Sequence, residues 1–112
     1  MDPIKPFVPV ETFTTLDIRV GTIRSLIRDE NETHLLNVTV DFDGHDHSFL
    51  LDWVETRFDY EEILGKQAIA ILNVEGVRAG FTGRILELGP LDRLMPVLVC
   101  PEHPIPDGSR VS

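Results

Sequence analysis

The chain has 112 residues, with 10 lysines and arginines against 19 aspartates and glutamates and a net charge of −9; it is sized for one domain, and its charge opposes approach to phosphate backbones. The apolar fraction of 42% feeds a core that removes roughly two-thirds of the unfolded surface from water without disulfide or metal. A single cysteine, Cys100, excludes an internal disulfide, no window approaches the roughly 18 apolar residues of a membrane span, and Met1 to Pro6 lacks the basic-then-apolar order of a signal peptide, so a cytoplasmic protein with no membrane insertion is expected.

Met1 to Val10 carries three prolines and reads as extended, so residues 1–12 are expected to form an arm. The folded domain is expected over 13–112, with regular structure starting near Leu16. Asp17 to Arg28 (DIRVGTIRSLIR) predicts a long strand. Ile18 and Val20 place apolar groups on even positions, Ile23 and Ile27 on odd ones. That switch of parity across Gly21 predicts a β-bulge there, the device by which a small barrel turns a corner.

Thr33 to Phe42 alternates cleanly, with Leu36, Val38, Val40 and Phe42 on one face. Asp43-Gly44 is a strong hairpin signal, and His47 to Trp53 is the return strand, with Phe49, Leu51 and Trp53 sharing a face. Glu55 to Leu64 predicts a short helix ending at Gly65. Lys66 to Val74 predicts a buried strand with Ile69 and Ile71 inward. Arg84 to Leu88 and Met95 to Cys100 predict two more strands, and Arg110-Val111 a last edge pairing. Three strands, a short helix and two or three further strands is the order of an OB-fold: an all-β, five-stranded Greek-key barrel with one short helix and terminal extensions. A small open sheet with one helix is the alternative.

Several groupings bear on chemistry. Arg19 beside Asp17 reads either as an ion pair closing the barrel end or as a phosphate contact at a groove rim. Arg78 and Arg84 flank Phe81, a mixture of charge and ring that suits single-stranded nucleic acid and is also common on plain surface loops. Phe49, Leu51 and Trp53 are either core or an apolar strip lining a groove. His45-Asp46-His47 has no third ligand near in sequence, so no metal is expected. His34 and His103 are lone surface histidines, and Cys100 is expected to be buried with no base to activate it. There is no glycine-rich phosphate loop, nucleophile elbow or pair of carboxylates in an evident cleft, and Glu61-Glu62 reads as a solvated face. Neither catalysis nor a cofactor is expected.

Four blocks in order resemble the tRNA-binding domains appended to aminoacyl-tRNA synthetases and their free-standing relatives, most nearly the CsaA-type secretion chaperones. They are Leu16-Asp17-Ile18-Arg19-Val20-Gly21-Thr22-Ile23; Gly65-Lys66-Gln67 with Ala68 to Asn73; Ala79-Gly80-Phe81 with Leu86-Glu87-Leu88-Gly89; and Pro104 to Val111. The resemblance implies an OB-fold, a two-fold homodimer built by the terminal segments, and a groove for tRNA or for unfolded or export-bound polypeptide. The sequence departs from that pattern in the groove. Gly83-Arg84 stands where relatives carry Ser-Glu, and the turn after Asn73 has only Arg78 as a basic residue. The third strand runs Phe49-Leu50-Leu51-Asp52-Trp53 where Ser, Gln and Lys are usual. Polar and basic groups are exchanged for apolar ones, which ranks polypeptide ahead of tRNA as partner. The expected groove residues are Arg19, Phe49, Leu51, Trp53, Asn73, Arg78, Phe81 and Arg84. The expected dimer residues are Phe7, Phe13, Pro104, Ile105, Pro106 and Val111, apolar groups at both chain ends that one small barrel has no obvious place to bury.

Overall fold

In the computed structural model, which describes residues 1–112, the longest strand organises the rest. Strand β1 (Ile18–Arg28) pairs antiparallel with β4 (Gln67–Glu75) along its first half, Ile18 opposite Ile71, and with β2 (Leu36–Asp41) along its second half, Arg28 opposite Leu36. Strand β3 (Asp46–Leu51) continues from β2, and β5 (Thr82–Ile85) from β4, giving the order β3-β2-β1-β4-β5. The sheet curls until its edges meet: the His47 ring lies 2.7 Å from the Thr82 carbonyl, and a Cβ on Gly83 would stand 3.1 Å from the Phe49 ring. Gly83 has φ +85°, so both its backbone and the closeness of β3 require glycine. The result is an OB-type barrel with few short helices. A small hairpin, β6 (Glu87–Leu88) with β7 (Val97–Leu98), stands apart from the main sheet.

The hairpin turn forms as expected, with Asp43 and Gly44 both at positive φ, 70° and 83°. The barrel interior is filled from all five strands of the main sheet and from β7: Ile23, Leu36, Val38, Val40, Phe42, Phe49, Leu51, Ala68, Ala70, Ile85 and Leu98, with Trp53 and Ile63 closing one side. Residues 108–111 lie along the free edge of β1. Val20 N–H donates to the Ser109 carbonyl at 3.0 Å and Val111 N–H to the Ile18 carbonyl at 2.9 Å.

Five expectations need correction. The bulge lies between Ile23 and Ser25, not at Gly21. Gly21 is required for space instead: a Cβ would meet Val40 Cγ1 at 2.6 Å, Phe42 Cδ1 at 2.7 Å and the Asp41 carbonyl at 2.8 Å. In β4 the parity is reversed. Ala68 and Ala70 point into the barrel and Ile69 and Ile71 outward, because the register pairs Ala68 with Gly21 and Ala70 with Arg19, the positions of β1 that share the inward face with Ile23. The helix expected over 55–64 is two pieces, α2 (Trp53–Thr56) and a 3₁₀ turn (Tyr60–Ile63). It breaks at Arg57, which turns to extended φ, ψ while its side chain packs on Trp53. Regular structure begins earlier than Leu16, with a one-turn helix α1 (Val10–Thr14). Cys100 is exposed, because the strand carrying its neighbours ends at Leu98. No helix is long and apolar enough to cross a membrane.

Candidate binding surfaces

Arg19 pairs with Ala70 and therefore shares the inward face, but it sits at the strand's start, where its guanidinium emerges at the barrel mouth. There Asp17, Arg19, Phe42, His45, His47 and Leu72 line a hollow of about 320 Å³. Arg19 Nε donates to Asp17 Oδ1 at 2.7 Å and Nη2 to Oδ2 at 3.3 Å. This hydrogen bond, and then the attraction of the carboxylate charge, raise the Arg19 pKa above its ordinary value. The guanidinium is charged at every physiological pH, and its charge is already answered by Asp17.

Asn73, on β4, braces this mouth from behind. Its Oδ1 accepts from Asp17 N–H and its Nδ2 donates to the Thr15 carbonyl, both at 2.7 Å, so both ends of the amide hold the chain entering β1. Across the loop, Arg84 Nε donates to the Glu75 carbonyl at 3.0 Å, and Gly76 N–H to the Phe81 carbonyl at 3.0 Å. Glu75 to Phe81 encloses a hollow of about 370 Å³, with the Arg78 side chain outside any ion pair. The structure thus places Arg78 and Phe81 on the β4–β5 loop and Arg84 on β5, bonded back to Glu75, while Arg19 and Asn73 are both bonded to Asp17 at the barrel mouth.

It does not bring Phe49, Leu51 and Trp53 there. All three are buried in the barrel core, Trp53 completely, so they are not groove residues. Phe49 and Leu51 lie on the β3 face opposite Val38 and Leu36, which the barrel encloses. Trp53 leaves the strand to start α2 and turns under it.

The terminal apolar residues distribute unevenly. Phe13 and Val111 line one hollow of about 720 Å³, together with Val10, Leu16 and Ile18. Phe7 is fully exposed on the arm. Pro104 lines a separate, polar hollow with Arg24, Lys66, Cys100 and His103, and Ile105 is fixed by Gln67, whose side chain bonds both its N–H and its carbonyl.

Two features escaped sequence reasoning. The first is a buried polar knot. Arg57 lies 4.4 Å above the Trp53 ring and donates to Glu87 Oε2 at 2.5 Å, while Trp53 Nε1 donates to Glu87 Oε1 at 3.2 Å. Nothing in spacing links positions 53, 57 and 87. The second is the apolar surface of the β6–β7 hairpin, whose strands fall within the expected ranges 84–88 and 95–100 and which exposes Leu88, Leu91, Leu94, Met95 and Val97. Its signal was readable as apolar residues inside a turn bracketed by Gly89-Pro90 and Pro96. No group of three metal-ligating side chains converges anywhere.

No family model matches the chain. The methionine–tRNA ligase of Methanothrix thermoacetophila is 29% identical over 96% of the chain, and the chain spans only 16% of that protein's length. Among solved structures, a MetRS-related protein from Pyrococcus horikoshii superimposes with a TM-score of 0.79 at 20% identity, covering 96% of this chain and all of its own. The chaperone CsaA from Bacillus anthracis superimposes with a TM-score of 0.77 at 26% identity, again over 96% of this chain and all of its own.

Proposed function

Starting from a chain that resembles the tRNA-binding-domain family of OB-folds, most nearly its CsaA-type members, we propose that it is a non-catalytic, homodimeric binding module whose ligand is unfolded polypeptide rather than tRNA. The observation that carries this reading is the state of its basic side chains. Arg19 is neutralised by Asp17, Arg57 by Glu87, Arg24 approaches Asp41 and Asp107, and Arg84 is tied to the Glu75 carbonyl. Of the basic residues expected to reach a phosphate backbone, Arg19 has its charge answered by a carboxylate, while Arg78, Arg84 and Lys66 stand in no ion pair, few cations on a body of net charge −9. A polypeptide with apolar and basic side chains meets no such opposition.

The dimer is supported by the apolar surface where the two chain ends meet the start of β1. Ile18 and Val20 are already buried there, and the accessible apolar groups are Val10, Phe13 and Val111, which line one hollow with Leu16. With Phe7, these residues supply apolar surface at the two chain ends of the kind a two-fold pairing buries.

Titrating tRNA and a permanently unfolded basic polypeptide side by side at physiological salt tests the ligand. The polypeptide is expected to bind more tightly, with tRNA no better than about micromolar. Each neutralised phosphate adds roughly −0.7 to −0.9 to the slope of log affinity against log salt, so few free cations give a shallow slope. Nanomolar tRNA binding with a steep slope overturns the reading in favour of RNA.

A further inference from the structure

We propose that polypeptide docks on the β6–β7 hairpin and the acidic turn beside it, and that the docking segment carries leucine-like side chains flanked by lysine or arginine. This rests on the polypeptide reading above and assigns it a place other than the barrel mouth.

Leu88 and Val97 are cross-strand partners. Leu98, their neighbour on the opposite face, is buried in the core, so Leu88 and Val97 together face solvent. The tip between them is ordered by its own hydrogen bonds: Leu94 N–H to the Gly89 carbonyl at 3.0 Å and Asp92 N–H to the same oxygen at 2.9 Å. Gly89 at φ +112° and Arg93 in the left-handed region fix its path. Leu91 is 97% exposed, Leu94 67% and Met95 61%. Large apolar side chains on a braced turn keep an apolar contact surface in place, at a standing hydration cost that a partner removes.

The hairpin continues into a second feature. Val97 and Pro96 also line a notch of about 180 Å³ with Ile63, Leu98 and Arg57, large enough for one apolar side chain. The opposite wall belongs to the segment from α2 through the 3₁₀ turn, which exposes Asp52, Glu55, Asp59, Glu61 and Glu62 as well as Phe58 and Leu64. Its one arginine, Arg57, is spent on Glu87. On the hairpin, Asp92 offsets Arg93, and Lys66 is the one further cation at the notch. At the notch itself Glu62 stands with Arg57 and Lys66, and the segment that forms its wall carries five exposed acids against those two cations, so this flank of the apolar surface is acidic on balance.

That acidic flank decides the occupant. A second copy docked face to face would set these acids against their own images, and an RNA would set phosphates against them. A segment pairing apolar anchors with lysine or arginine satisfies both the surface and its rim.

The test uses the full chain and two synthetic peptides, one of leucine and lysine in helical spacing and one with glutamate for each lysine, followed by fluorescence anisotropy. The lysine peptide is expected to bind and the glutamate peptide to bind at least about tenfold more weakly. The double variant Leu91→Ser, Leu94→Ser, at exposed sites that leave the core intact, is expected to weaken the lysine peptide by about tenfold or more. The pair Glu61→Gln, Glu62→Gln is expected to weaken it several-fold and to flatten its salt dependence. Wild-type affinity for the lysine peptide in the leucine variant overturns the hairpin while leaving the polypeptide reading intact. Equal binding of both peptides overturns the charge argument. A leucine variant that loses self-association but keeps peptide binding makes the hairpin a contact between copies. No peptide binding by the wild type overturns this proposal and the polypeptide reading together.

Discussion

Replacing Glu87 by glutamine exchanges one carboxylate oxygen for an NH₂ group and removes the charge on which two buried donors converge. Trp53 Nε1 reaches Oε1 and Arg57 reaches Oε2, and an amide offers only one oxygen, so one donor must face an NH₂ group. The Arg57 side chain is 9% exposed and that of Glu87 20%, so water compensates little. Leaving a buried arginine without its carboxylate costs up to 3–5 kcal/mol. The remaining stacking on Trp53 and one retained hydrogen bond bring the expected loss to about 2–3 kcal/mol. Unfolding entropy of roughly 2.1 cal/mol/K per residue makes a domain of this size shift by about 4 °C per kcal/mol, so the melting midpoint should fall by about 8–12 °C. Arg57→Met keeps the packed stem, removes the charge, and leaves Glu87 with the indole N–H and partial hydration; it should cost only about 1 kcal/mol, roughly 4 °C. Thermal melts followed by far-ultraviolet circular dichroism read both. If Glu87→Gln melts within about 3 °C of wild type, or Arg57→Met proves the more damaging, the Glu87 carboxylate is not the acceptor that the two buried donors depend on.

Gly21→Ala should destabilise by about 2–3 kcal/mol in urea unfolding, because its Cβ would meet the backbone carbonyl of Asp41 at 2.8 Å as well as two side chains; an unchanged midpoint would show that β2 can yield. Light scattering at micromolar concentration should give twice the chain mass, with a stable pair hiding on the order of 1,200 Å² or more. Phe13→Ser should shift the mass toward the monomer, and a monomeric wild type would remove the dimer.

Period-two alternation carried most of the barrel. Leu36, Val38, Val40 and Phe42 read directly as a buried face, and Asp43-Gly44 as its turn, because a strand half-exposed to water writes its environment into every second residue. The reading failed where alternation is ambiguous. Ala68, Ile69, Ala70 and Ile71 are all apolar, and hydrophobicity alone favours isoleucine inside; only the register with β1, a fact of the neighbouring strand, puts alanine there. Phe49, Leu51 and Trp53 showed that they share a side, not which side the barrel closes over. Arg19 with Asp17 was legible as a pair because its partners are two residues apart. Asn73 and Glu87 were not, since their partners lie in distant segments and no local pattern encodes a bond between them.

The edge of β1 has a consequence for how the protein reaches its native state. Between the chain entering β1 and the start of the β2 pairing, that edge is closed by residues 107–111, and Thr22 hydroxyl meets Asp107 across 85 positions of sequence. Such a closure adds a long loop to the search, so the final folding step should be slow compared with formation of the β2–β3 hairpin. During synthesis on the ribosome, Ile18 and Val20 offer unpaired backbone groups until residues 107–111 have emerged. The interval in which an intruding strand from another chain can pair there is set by translation speed as much as by stability.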